Sequence, residues 1–183
     1  MARRPLGFRY LAALVLFASL AACTSAPPGI TPIDNFDLKA YLGTWYEIAR
    51  LDHSFERGLN DVRADYALRE DGAISVRNAG YGDEGWEIAE GRAVPVGDPT
   101  QGHLKVSFFG PFYGAYVIFA LDPDAGWALV SGPNRDFLWL LARTPSLPEA
   151  AQAQALALAD AAGFATDALI FPTHRRAGTT PVP

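Results

Sequence analysis

Polar and apolar side chains alternate from residue 62 to residue 69. Val62, Ala64, Tyr66 and Leu68 share one face, with Arg63, Asp65 and Arg69 opposite. A period of two marks a strand with one face buried. Glu70-Asp71-Gly72 then predicts a hairpin turn, since Asp-Gly favours the backbone that two-residue hairpins need, and residues 74–78 form the next strand. Residues 86–94 read as another, stopped by Pro95 and Gly97-Asp98-Pro99. Residues 103–109 and 113–121 follow, joined at Gly110-Pro111. After a turn at 122–126 come 127–131 and 137–143. With the segment around Trp45 this makes about eight short strands, the rhythm of an all-β sandwich or barrel. Eight antiparallel strands can close up-and-down into a barrel wide enough for one small ligand, and closure removes exposed sheet edges.

The period changes after residue 145. Ser146-Leu147-Pro148-Glu149 has the form of a capping box. Ala151, Ala155, Leu158 and Ala162 recur at helical spacing, and Gly163 suits a C-cap. One helix over about 147–162 is expected to pack outside the barrel. Leu169-Ile170-Phe171 predicts a short final strand. The barrel domain is expected over 35–173, with 174–183 as a loose tail.

The first residues belong to a different problem. Arg3, Arg4 and Arg9 precede a short apolar run, YLAALVLFASLAA, at 10–22. That run falls short of the roughly 20 apolar residues of a membrane-spanning helix and reads as a secretory signal over 1–22. Leu20-Ala21-Ala22-Cys23 resembles the processing box of bacterial lipoproteins. The resemblance implies cleavage before Cys23, three acyl chains on that residue, and a linker up to residue 34. Thr24 rather than Asp after the Cys implies the outer membrane, on its periplasmic face. Several acyl chains anchor firmly where one holds only marginally. Cys23 is the one cysteine in the chain, so no intrachain disulfide can form. Removing 1–22 takes away three Arg and no acid, moving the net charge from −5 to −8. Such a balance disfavours nucleic acid, which needs basic patches.

Four segments carry a more specific resemblance: FDLKAYLGTWYEIAR at 36–50, DHSFERGL at 52–59, KVSFFGPFYG at 105–114 and GPNRDFLWLLARTP at 132–145. In this order they resemble the lipocalins, in particular the bacterial outer-membrane and apolipoprotein D-like branch. The resemblance covers nearly all of the mature domain and implies an eight-stranded barrel with one outer helix. It implies that Gly43, Trp45 and Arg143 close the barrel base, the guanidinium lying across the indole. The loops at 53–60 and 110–113 then form the mouth. A fatty acid or lysophospholipid ligand is implied, and the branch also admits a homodimer with a shared lipid site.

If Trp45 points inward, strict alternation sends Glu47 and Ala49 inward too, leaving Thr44, Tyr46, Ile48 and Arg50 outside, with Tyr46 and Ile48 under the helix. A carboxylate inside an apolar barrel needs a donor or a raised pKa. Glu47 is therefore open to three readings: a satisfied internal acid, a contact to a lipid head group, or a catalytic group working with His53 or Asp52. Tyr66, Tyr113, Tyr116 and Trp139 are further candidates for the wall or mouth, since their rings bury apolar area while a polar tip can bond a head group. The aromatic stretch at 108–114 suggests a dimer patch or a membrane-facing lip. His53, His103 and His174 have no metal-ligand spacing. No nucleophile elbow, phosphate loop or dinucleotide motif is present in the sequence. No metal, cofactor or catalytic residue is expected; the alternative is a lipid- or isoprenoid-modifying enzyme on the same barrel.

Overall fold

The backbone of each strand hydrogen-bonds to the next in a computed structural model that describes residues 23–122 and 126–181. Eight strands follow in order: β1 (Gly43–Arg50), β2 (Asn60–Leu68), β3 (Ile74–Gly82), β4 (Gly85–Pro95), β5 (His103–Phe109), β6 (Phe112–Asp122), β7 (Trp127–Ser131) and β8 (Leu138–Ala142). Every neighbour is antiparallel, and β8 pairs back onto β1, closing an up-and-down barrel. The pairing of β4 with β5 covers Arg92–Pro95 alone, so the mouth-side half of β4 has no ladder partner on that flank. The expected signal at 1–22 lies outside the described residues, as does the middle of the turn at 122–126.

A short helix, α1 (Leu38–Tyr41), precedes β1 and is capped by Asp37, whose carboxylate accepts from the amides of Lys39 and Ala40. The outer helix, α2 (Glu149–Ala161), starts after Pro148, and no side chain caps it. The expected Ser146 cap is not used. The residue before a proline is pushed towards extended backbone, so Leu147 cannot be the first helical residue that a Ser146 cap would require. Its end matches expectation better: Gly163 takes φ +82°, and its amide and that of Phe164 return to the carbonyls of Asp160 and Ala159. Ala155 and Ala159 are the buried face, packed with Ile48, Ala49, Trp127, Leu129 and Leu140 of the barrel exterior. Leu158, expected on that face, is exposed.

Both ends of the domain are held to the barrel. In the expected linker, Ile30 is buried, Ile33 exchanges backbone bonds with Ile118 and Gly102, and the Cys23 carbonyl accepts from the Ala115 amide at 2.8 Å. At the other end, Ile170 forms a single bridge with Arg50 in place of the expected strand. Residues 173–181, most of them in the expected loose tail, lie against β1–β3. The Thr173 carbonyl accepts from Asp61, and Arg63 and Arg77 donate to the carbonyls of Thr179 and Pro181. Asp61 takes bonds from the Arg176 amide and guanidinium. Tyr46 packs its ring edge-on against His174, so this tail, not α2, covers it.

Candidate functional site

At the base, the chain enters β1 through Gly43 at φ +94°, a left-handed conformation that a side chain would strain. Trp45 follows, pointing inward and 2% exposed; its indole N–H donates to the Tyr41 carbonyl at 2.8 Å. The Arg143 guanidinium lies 3.8 Å from the indole centre and donates to the carbonyls of Thr44 (3.0 Å) and Ala40 (2.5 Å). A cation over an indole face is worth roughly 0.5–2 kcal/mol. Tyr41 lies tilted against the indole and Phe36 meets Tyr41 edge-on, and with Ile74, Ile118 and Leu141 they form a core that shuts this end.

Above that plug the barrel is hollow. A cavity of about 620 Å³ is walled by Val62, Ala64, Tyr66, Val76, Val106 and Tyr116 among others, and reaches the loops at Phe55, Phe109, Phe112 and Phe137. That volume falls within the range of small-molecule sites. Its floor carries a polar point: the Tyr116 hydroxyl lies 2.7 Å from that of Tyr41 and 2.9 Å from that of Tyr66. Burial pushes all three phenols up from their ordinary range, so they stay neutral hydrogen-bonding groups.

Near the mouth, a buried charged cluster holds the β1–β2 loop. A bulge in the β1–β8 ladder places Glu47 opposite Leu141 and Ala49 opposite Leu140. The extra residue inverts the alternation. Ala49 therefore turns away from the cavity into the α2 interface, and Arg50 turns inward, 1% exposed. Arg50 donates to Glu47 Oε1 at 2.5 Å and to the loop carbonyls of Glu56 (2.7 Å) and Leu59 (3.3 Å). Glu56 Oε2 accepts from the Trp139 indole at 3.0 Å and lies 2.9 Å from His53 Nε2. The two acids differ. Burial first, then the nearby Glu56 charge, raises Glu47 well above the ordinary carboxylate range, against the pull of Arg50. Burial also works to raise Glu56, but His53, the Trp139 N–H and Arg50 together hold it low. The two acids are thus pushed in opposite directions, Glu47 up and Glu56 down.

Residues 36–174 match the Lipocalin-like domain family. The chain belongs to the lipocalin family. It is 52% identical over 165 residues to Outer membrane lipoprotein Blc of Citrobacter freundii, covering 88% of this chain and 93% of that one. It is 53% identical over 156 residues to Outer membrane lipoprotein Blc of Escherichia coli K12, covering 84% and 88%. With Apolipoprotein D of Rattus norvegicus it shares 37% over 138 residues, 70% of each chain. Among solved structures, insecticyanin from the tobacco hornworm Manduca sexta superposes with a TM-score of 0.68 at 21% identity, over 84% of this chain and 88% of that one. That likeness speaks for the fold alone.

In this lipocalin, four of the six candidate wall residues border the cavity: Glu47, Tyr66, Tyr116 and Trp139. Ala49 does not, because of the bulge. Nor does Tyr113, whose ring instead lies under the Lys105 ammonium, 5.0 Å away. Asp52, weighed as a partner for Glu47, is on the exterior and paired with Arg57. Sequence reasoning missed the inward turn of Arg50 and the role of Glu56 as acceptor for Trp139 and neighbour of His53. An Arg at a strand end and a Glu in a polar loop look like solvated charges, and strict alternation hides a bulge. A signal was nevertheless available in the stretch 47–56, where Glu47, Arg50, His53 and Glu56 recur every three residues.

Proposed function

We propose that this lipocalin carries or stores a single-chain amphiphile, a fatty acid or lysophospholipid, at the bacterial outer membrane, tethered through acyl chains on Cys23. The observation that carries the reading is the hollow of about 620 Å³, closed at the Trp45 end and open at the aromatic end. Aliphatic and aromatic walls favour burial of an acyl chain at roughly 0.8 kcal/mol per methylene, so twelve methylenes contribute about 10 kcal/mol before ordering costs. The polar end of the ligand meets the mouth, where the carboxyl groups of Glu47 and Glu56 and the Trp139 indole border the cavity. The identity with outer-membrane lipoproteins over most of the chain supports the location.

The test is direct. Protein purified from membranes is denatured in organic solvent, and the released lipid is identified by mass spectrometry. The purified protein is also incubated with lysophospholipid. Recovery of intact lipid at one molecule per cavity is expected. Cleaved or modified lipid would replace the carrier with an enzyme on the same barrel, and protein free of lipid that also takes up none would end the proposal.

A further inference from the structure

The three phenols at the cavity floor hold more hydrogens than acceptors. The Tyr116 oxygen lies 2.7 Å from that of Tyr41 and 2.9 Å from that of Tyr66. Among the described residues the three hydroxyls have no other hydrogen-bond partner. A neutral phenol carries one hydrogen, so two bonds use two hydrogens and leave the third. Tyr116 can give its hydrogen to one neighbour alone, which leaves three arrangements. If Tyr41 gives to Tyr116 and Tyr116 to Tyr66, the spare O–H is on Tyr66. If the chain runs the other way, it is on Tyr41, and if both neighbours give to Tyr116, it is on Tyr116. Loss of a proton does not remove the excess, because burial pushes all three phenols up and keeps them neutral.

This spare donor sits deep in the hollow. Tyr66 stands opposite Gly43, where β1 leaves the closed base. Tyr116 follows Phe112, at the mouth, by four positions on β6, or roughly 13 Å of strand. Tyr66 is 6% exposed, and Tyr66 and Tyr116 both border the cavity, whose wall also includes Val76, Val106 and Leu141. In two of the three arrangements the spare O–H therefore belongs to a residue that meets the ligand. A ligand atom that accepts it selects those arrangements from the set. The methyl end of a plain acyl chain cannot, and leaves a buried donor unmet.

We infer that the floor is a second polar subsite and that the preferred cargo is oxygenated at both ends: an acyl chain whose tip carries a hydroxyl or carbonyl oxygen, which accepts from Tyr66 or Tyr116. This rests on the carrier reading and narrows its ligand class. It gives the two phenols to the tip of the chain and not to the head group, since the Trp45 plug leaves no room for a head group beneath them. Without the subsite the sign is opposite, because an oxygen buried in an apolar floor with no partner weakens binding.

The probes are laurate, myristate and palmitate and their ω-hydroxy forms. Each displaces a fluorescent fatty acid from the full chain, purified from membranes and held in amphipol. With the carboxyl at the mouth, one chain length places the ω-oxygen at the floor. The expected result is a gain of about fivefold in affinity from the ω-hydroxyl at that length and a loss at the others. The gain should vanish when Tyr66→Phe and Tyr116→Phe are combined. A loss at every length in the native chain, as a water-satisfied floor would give, overturns the inference whether or not the double variant folds. A gain that survives in the double variant puts the ω-oxygen elsewhere and also overturns it. An isotope label at tyrosine Cζ gives a check in the native chain: the Tyr66 and Tyr116 signals should separate the ω-hydroxy acid from the plain one, and identical signals overturn the subsite. Plain acids that bind with no gain from the hydroxyl leave the carrier reading standing and remove this one. Failure of every acid to bind ends both.

Discussion

Arg50 and Glu47 form a buried pair whose two members should respond very differently to removal. Arg50 is 1% exposed, and its guanidinium serves Glu47 and the carbonyls of Glu56 and Leu59. Arg50→Met leaves the ionised Glu56 without a cation from this side and two loop carbonyls without their donor. Breaking a buried pair from one side costs about 3–5 kcal/mol, a large part of the 5–15 kcal/mol that holds a typical domain. Glu47→Gln is another matter. Glutamine keeps the oxygen that accepts from Arg50, and burial already works against the Glu47 charge, so the cost stays within about 1 kcal/mol at neutral pH. The pH dependence gives the sign. Because the folded-state pKa of Glu47 is raised, its contribution to stability is fully present below the ordinary value of 4.5 and is lost as pH rises through the folded value. Glu56 is depressed, so its contribution is present above the ordinary value and lost as pH falls through its folded value. Urea unfolding followed by circular dichroism from acid to mildly alkaline pH checks this. The stability of Glu47→Gln relative to the native chain should improve steadily as pH rises from about 4.5. Parallel curves at every pH would refute the raised pKa of Glu47, and equal losses for Glu47→Gln and Arg50→Met would refute the unequal roles of the two residues.

Three further outcomes are expected. Trp45→Ala removes the plug under the cavity, with its Tyr41 bond and its Arg143 contact, and should cost about 3–5 kcal/mol in denaturant melts while leaving the order of preference among ligands unchanged; retained stability with lost binding would contradict the plug. Tyr116→Phe deletes the hydroxyl shared by Tyr41 and Tyr66 and should cost about 1–2 kcal/mol of stability by the same melts; no measurable change would mean the three hydroxyls are solvated. Gly114 borders the cavity, and a Cβ placed there meets nothing within 4 Å. Gly114→Leu should therefore fill the hollow, lowering affinity for a fluorescent fatty acid by about tenfold or more (~1.4 kcal/mol) at little cost to the melting temperature; unchanged affinity would place the ligand elsewhere.

Most of the barrel was legible along the chain because its signal is local. Alternation reports one buried face at Val62, Ala64 and Tyr66 whatever lies across from it, although Leu68, expected on that face, is exposed at the strand's end, and the turn residues at 70–72 and 110–111 mark the hairpins they occupy. Gly43, Trp45 and Arg143 were legible as a set through resemblance, and the geometry joins them. The site was less legible. Glu47, Tyr66, Tyr116 and Trp139 border the cavity, while Ala49 and Tyr113 do not.

The chain alone determined the number of strands, their order, the outer helix and the aromatic character of the 108–114 hairpin, since each depends on residues close together in sequence. The tertiary structure decided which way Ala49 and Arg50 face, because the bulge exists only in the pairing of β1 with a strand some ninety positions away. It also decided that residues 23–34 and 173–181 lie along the barrel: their backbone bonds go to partners such as Ala115, Ile118 and Asp61. Backbone donors and acceptors carry no sequence label, so where a segment finds its partners is settled by folding and not by composition.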